Sequence, residues 1–335
     1  MNTHQIVYLV FGIVLSIALV FDLGLLSKKN KTITIKQALI QTMFWVGLAL
    51  AFFVFLWIEG PALAADNIDA AVSVHQLPIE FLSAYLMEWS LSIDNIFVFI
   101  LIFNAFSVKE KYYPRVLLLG ILMAIAFRVI FITLGVALVA KFSWLLYLFG
   151  AFLVYTGYTM FKADEDEQFN PQDSKIYKFL KSFLPLVNHD GEGKYMIREN
   201  GKPFYTTLFV VVILLAAIDL VFALDSIPAV MGISKDPLII YTSNIFAVLG
   251  LRSLFFLLRG AVTKFDYLQQ GIAIVLVFIG VKMLGEHWLN QWMGKSSQVA
   301  LSLGVIVVCI AGSILYSMVM NKKGTPADIQ DDSIK

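Results

Sequence analysis

Residues 80–106 read EFLSAYLMEWSLSIDNIFVFILIFNAF and residues 205–232 read YTTLFVVVILLAAIDLVFALDSIPAVMG. At 1.5 Å per residue each run is long enough to cross a hydrocarbon layer about 30 Å thick. Yet each carries two acids in its interior, Glu88 and Asp94 in the first, Asp219 and Asp225 in the second. An ionised group at that depth costs several kcal/mol unless it faces a partner or a polar cavity, so acids there mark function by default. The two segments also match each other. EWSLSIDN (88–95) and DLVFALDS (219–226) each place two acids six residues apart and follow the second with a small polar side chain, Asn95 or Ser226.

The rest of the chain has the composition to match. Of 335 residues 59% are hydrophobic and 15% charged, with mean hydropathy +0.80, which excludes an ordinary water-soluble domain. Apolar runs predict nine spans, near 6–26, 37–58, 80–106, 115–139, 143–161, 205–232, 238–258, 267–287 and 298–320. The fold class expected is therefore all-α, a polytopic membrane protein of about nine transmembrane helices. Connections after the odd-numbered spans and the tail hold 19 of the 25 basic residues, whereas the opposite connections hold only Lys141, Lys235 and Lys295. Arg128, Arg252 and Lys282 fall inside spans. The positive-inside rule then puts the N-terminus outside and the C-terminus in the cytoplasm. Four segments result: five spans over 1–161, a cytoplasmic connection over 162–204, four spans over 205–320, and a polar, disordered tail over 321–335. In the connection an acidic run, Asp164 to Glu167, reads as a solvated charged face. Ile176, Phe179, Leu180 and Phe183 recur at helical spacing beside Lys175, Lys178 and Lys181, which predicts a short helix on the membrane surface. Tyr195 to Thr206, around Asn200 and Gly201, predicts a hairpin.

By this topology the third span runs inward and the sixth outward. Similar acid motifs in opposite directions predict an inverted-repeat core with a site near the midplane where the halves meet. The next span of each half adds an arginine, Arg128 or Arg252, which we assign to charge balance. Six residues rotate a helix by about 240°, so on an unbroken helix Glu88 and Asp94 diverge while Glu88, Ser92 and Asn95 share a face. An interruption at the site would reunite the acids, and Pro228, which cannot donate to the Leu224 carbonyl, is expected to supply one in the sixth span. Carboxylates, an amide, a hydroxyl and a freed carbonyl are an all-oxygen donor set suited to a hard divalent cation such as Mn²⁺, Ca²⁺ or Mg²⁺. The candidate metal ligands are Glu88, Asp94, Asn95, Asp219, Asp225 and Ser226. Setting Asp22 and the four motif acids against Arg128, Arg252 and Lys282 leaves two negative charges, which one such ion neutralises. A structural alternative pairs the acids with these cations purely to hold helices together. It suits Asp22, Lys282 and Glu286, near span ends, better than Asp94 and Asp225.

EWSLSIDN with the following IFVF, DLVFALDSIPAV (219–230), SNIFAVLGLRSLFF (243–256) and FGAF (149–152) together resemble the TerC family, in particular its Alx-like branch. The resemblance spans almost the whole chain. It implies a multi-pass protein of the bacterial inner membrane, related to lysine-exporter-type transporters and associated with manganese efflux, alkaline pH response and tellurite resistance. It also places the family's acidic positions on Glu88, Asp94, Asp219 and Asp225. Many relatives carry a further Glu where this chain has Ala216, which implies a difference in metal affinity, selectivity or proton coupling.

The favoured expectation is a secondary transporter, not an enzyme, that exports a divalent cation, manganese on the family's account, in exchange for protons. A Gly-rich phosphate loop is missing from the sequence, so an ion gradient would drive it. No bound cofactor is expected. The partners are the cation and the bilayer, with room for a homo-oligomer or membrane partners; near-neutral net charge gives no nucleic-acid signature. The alternative is a membrane scaffold for metal or tellurite resistance or for metal loading of secreted enzymes. An intramembrane aspartyl protease is a weak third reading, because the Gly-containing motif beside its second aspartate is missing.

Overall fold

The computed structural model describes residues 3–26, 33–66, 76–162, 175–199, 201–259 and 267–323. In chain order the helices are α1 (Thr3–Leu26), α2 (Ile35–Asp66), α3 (Gln76–Ala105), α4 (Tyr113–Lys141), α5 (Leu145–Lys162), α6 (Lys175–Phe183), α7 (Thr207–Ile233), α8 (Pro237–Leu258), α9 (Leu268–Leu284), α10 (Glu286–Trp292) and α11 (Lys295–Lys323). The protein is an all-α polytopic membrane protein. Among the described residues five helices are long and apolar enough to cross a bilayer by themselves, and α9 with α10 makes a sixth candidate if the pair is one bent span. Each of the nine expected spans overlaps one of α1 to α5, α7 to α9 and α11, of which five, or six with the bent pair, meet that length and hydropathy among the described residues.

Local chemistry sets several boundaries. At the start of α2, Thr34 Oγ1 accepts from the Gln37 N–H at 3.3 Å while Gln37 Oε1 accepts from the Thr34 N–H at 3.1 Å, a reciprocal capping box. Asp236 caps α8 by accepting from the Leu238 N–H at 2.8 Å, with Pro237 in the first turn where its missing N–H costs nothing. The eighth expected span stops short. Instead of running to residue 287, α9 ends at Leu284, and beyond Gly285 the chain turns by 80° into α10.

Helix α8 is the interior axis: 94% of its apolar window is buried, against 17% for α11. Helices α2 and α3 pack on α8, α4 packs on α7, and α5 packs on α9. Exchanging α3, α4 and α5 with α7, α8 and α9 turns the α3–α8 pair into the α7–α4 pair and leaves α5–α9 in place, the pattern a two-fold repeat requires. At the α5–α9 crossing the contact is reciprocal. A Cβ on Gly280 would lie 2.6 Å from the Gly150 carbonyl oxygen, and one on Gly150 would lie 3.0 Å from that of Gly280. Small residues let the two backbones touch, as is common between helices in lipid.

The starts of α3, α5 and α11 and the ends of α7 and α9 gather at one end of the bundle, around Gln76, Leu146, Val299, Ile233 and Met283. At the other end Arg259, after α8, bonds Glu110 in a 3₁₀ turn before α4 at 3.3 Å, and Phe106 meets Tyr177 of α6 with ring centroids 5.3 Å apart. The hairpin also lies at this second end. Strands β1 (Met196–Glu199) and β2 (Lys202–Tyr205) pair antiparallel, Met196 opposite Tyr205 and Glu199 opposite Lys202. It is pinned to the bundle by the Lys109–Asp190 ion pair at 2.7 Å and by Gly193, whose φ of +91° lets the backbone lie against the Tyr112 ring. The acidic run 164–167, Asn200 and residues 324–335 lie outside the described residues.

Candidate functional site

Helix α7 is continuous through Pro228 from Thr207 to Ile233, and α3 is continuous from Gln76 to Ala105. The expected interruption in the sixth span does not occur. Proline removes one donor without ending the helix, because the neighbours packed around it hold the axis. The unbroken-helix geometry therefore governs, and the acids of one motif face different neighbours. Asp219 is 1% exposed and turned toward α3 and α4, whereas Asp225 is half-buried and accepts from Thr156 Oγ1 of α5 at 3.2 Å. Ser226, seven residues after Asp219 and so on its face, is fully buried.

The centre of the site is Arg128 of α4, 2% exposed. Its Nε donates to Asp219 Oδ2 at 2.7 Å and Nη2 to Asp219 Oδ1 at 3.2 Å. Its Nη1 donates to Glu88 Oε1 and, at 2.9 Å, to Asn244 Oδ1 of α8. Asn95 of α3 completes the group by donating from Nδ2 to Asp219 Oδ1 at 3.1 Å. One guanidinium thus joins the first acid of each motif, with both carboxylates almost fully buried. Arginine has five donors and no acceptor, so every bond it makes to the two carboxylates is one it donates.

The group still has surplus negative charge and surplus acceptors. Two carboxylates face one guanidinium. Glu88 Oε2, Asn95 Oδ1, Ser92 Oγ and Ser226 Oγ are buried without a hydrogen-bond partner among the described residues. All four are oxygens, the donor type a hard cation prefers; Glu88 Oε2 and Asn95 Oδ1 belong to the Arg128 group, while Ser92 and Ser226 stand one and two helical turns from Glu88 and Asp219 on the same faces. The six expected ligands nevertheless do not come together as one shell. Glu88, Asn95 and Asp219 meet around Arg128, Asp225 lies apart beside Thr156, and among the described residues no three acids, histidines or cysteines converge on a metal-sized centre. The side chains of Asp94 and Asp22 lie outside the described residues. Arg252 is buried in α8, 3% exposed.

Residues 73–325 match the family described as integral membrane protein TerC. The chain belongs to the TerC family. Among relatives of this TerC protein, an uncharacterised membrane protein of Myxococcus xanthus is 40% identical over 312 residues, covering 92% of this chain and 91% of its own. An uncharacterised membrane protein of Rickettsia bellii is 39% identical over 282 residues, covering 84% and 89%. The Alx protein of Escherichia coli strain K12, named for membrane-bound redox modulation, is 37% identical over 317 residues, covering 93% and 92%. No solved structure matches the TerC chain.

Sequence reading missed three members of the polar interior. Asn244 sits inside the SNIFAVLGLRSLFF stretch but carries no charge to draw attention. Thr156 is an ordinary residue of the fifth span. Glu80 did carry a signal, as an acid eight residues before Glu88 at the edge of the third expected span.

Proposed function

We propose that this TerC protein is a secondary transporter that exports a hard divalent cation, Mn²⁺ first among candidates, in exchange for protons across the bacterial inner membrane. The observation that carries the reading is the surplus at the Arg128 group: two buried acids against one arginine, with Glu88 Oε2 and Asn95 Oδ1 buried and without a hydrogen-bond partner among the described residues, and Ser92 Oγ and Ser226 Oγ in the same condition further along those helix faces. Burying acceptors without donors costs about 1–3 kcal/mol each, and a cation recovers that cost while neutralising the excess charge. The ion would take Glu88 Oε2, Asn95 Oδ1 and the Ser92 and Ser226 hydroxyls as first ligands. Asp225, aligned with Thr156 on α5, and Asp94 would serve at another stage of the passage, since six-residue spacing turns them to other faces. The nine-span topology, with the N-terminus outside, belongs to the same proposal.

The name of the Escherichia coli relative suggests redox modulation. This chain has one cysteine, Cys309, so a dithiol exchange within one chain is not open to it. A change in metal supply is the route by which such a protein would alter redox balance.

The test is Mn²⁺ flux in proteoliposomes with Ca²⁺, Mg²⁺ and Zn²⁺ as competitors. Asp225→Asn and Ser226→Ala should each lower Mn²⁺ transport in protein that still folds and inserts. Wild-type rates in both variants would return the acids to a structural role.

A further inference from the structure

A second polar site lies at the end of the bundle where α3 begins and α7 and α9 end. It is a cavity of about 120 Å³ lined by Gln76, Glu80, Lys235, Lys282, Glu286 and Gln298, room for a few water molecules. The exposed Lys235–Glu286 ion pair forms its rim, and Glu80 and Gln76, 6% and 7% exposed, form its floor. Glu80 lies eight residues, roughly 12 Å along α3, from Glu88. The basic-residue distribution assigns this end to the outside.

The hydrogen bonds of Glu80 differ in kind from those of Glu88 and Asp219. Its Oε1 accepts from Gln76 Nε2 at 2.7 Å and its Oε2 accepts from Ser234 Oγ. Lys282 does not claim it: that ammonium donates to the Gly232 carbonyl at 3.3 Å and to Ser302 Oγ at 3.0 Å. The other charges around the cavity are Lys235 and Asp236 in the α7–α8 connector and Glu286 on α10, while α11 contributes neutral Gln298 and Ser302 and α5 contributes Leu146. An arginine can only donate, so a carboxylate bound to it loses a bond on taking up a proton. An amide and a hydroxyl can each donate or accept. With Glu80 protonated, the Gln76 amide turned over presents Oε1 to the carboxyl O–H, and the Ser234 hydroxyl still satisfies the second oxygen. Gln76 Oε1 is buried and has no donor among the described residues in the charged arrangement. Both protonation states are therefore satisfied at one place, beside water.

We propose that Glu80 is the outer proton-binding site of this protein, the group that takes the counter-transported proton from the outside; this rests on the transport reading above. The proton passes from a hydronium ion in the cavity to Glu80 Oε1, leaving a neutral water behind and a neutral carboxyl in the floor. Coupling to the cation runs through α7. Ser234 ends that helix and bonds Glu80, Lys282 holds the Gly232 carbonyl two residues before it, and Asp219, Asp225 and Ser226 lie upstream on the same helix.

The experiment uses the full-length protein in proteoliposomes, with internal pH and Mn²⁺ read together, and infrared pH-difference spectra of the same preparation. Glu80→Gln should lower the number of protons moved per Mn²⁺ and remove a protonated-carboxyl C=O band that the wild type shows. Glu80→Asp should restore the band. Ser234→Ala, which keeps the carboxyl and removes one partner, should move the pH midpoint of that band, and it carries the test if the Gln variant does not fold. A wild-type proton ratio in Glu80→Gln, a spectrum identical with and without Glu80, or an unmoved midpoint in Ser234→Ala overturns the proposal. A wild type that moves no divalent cation refutes the transport reading instead, and the infrared band then decides whether Glu80 binds a proton.

Discussion

Replacing Arg128 by Met keeps an unbranched apolar stem and removes the guanidinium with its charge and all its donors. In the wild type those donors make two bonds to Asp219, one to Glu88 and one to Asn244, with 2% of the arginine exposed. Deleting one partner of a buried ion pair costs about 3–5 kcal/mol, because the other charge stays behind without compensation. Here two carboxylates stay behind, so Arg128→Met should sit at the upper end, about 5 kcal/mol. That is more than a thousandfold in the folded-to-unfolded ratio, at tenfold per 1.4 kcal/mol. Neutralising all three groups at once should not. Buried ion clusters replaced wholesale by neutral groups are commonly neutral or stabilising, so Glu88→Gln, Asp219→Asn and Arg128→Met together should recover most of the loss. The assay is thermal unfolding in detergent, with steric trapping in bicelles for the free energy. A single Arg128→Met variant as stable as wild type, or a triple variant no better than the single one, would refute the assignment of Arg128 as the charge that holds α3, α4 and α7 together.

Three further outcomes follow from the packing, the charges and the topology. Gly157→Ala on α5 should cost about 1–3 kcal/mol, since its Cβ would lie 2.7 Å from the Ala273 carbonyl oxygen of α9; an unchanged melting temperature would contradict the backbone contact. Lys109 holds the Asp190 carboxyl below its usual range, and Asp190 in turn raises the Lys109 ammonium. The pair therefore supports the hairpin from above about pH 4 to below about pH 10. Its contribution should fade as acid titrates Asp190 through its depressed value or alkali titrates Lys109 through its raised one. Protease sensitivity at Lys194 and Arg198 reads this, and Asp190→Asn should abolish the dependence at acid pH. Single cysteines at 68 and 295 in a Cys309→Ser background should label from outside and one at 170 from the cytoplasm; external labelling at 170 would overturn the nine-span arrangement.

What the sequence determined by itself was everything that depends on neighbours a few residues away. Hydropathy over about 20 residues located the long helices, because a backbone in lipid must satisfy its own hydrogen bonds. Helical rotation put Glu88 with Ser92 and Asn95, whereas the break expected at Pro228 was overruled by the packing that keeps α7 continuous and leaves Asp225 apart from Asp219. Gly201 between strand formers sufficed for the hairpin turn, where its φ is +78°. Even the end of α9 was written locally at Gly285, though apolar residues on its near side masked it. Only the tertiary structure decided which partner each polar group has. Nothing near Arg128 in the chain says that it bonds Glu88 forty residues before it and Asp219 ninety-one after it, while Asp225 goes to Thr156 and Glu80 to Ser234. Rotation within a helix chooses a face. What stands opposite that face depends on how helices cross, and the crossings are set by close backbone approaches such as Gly150 with Gly280.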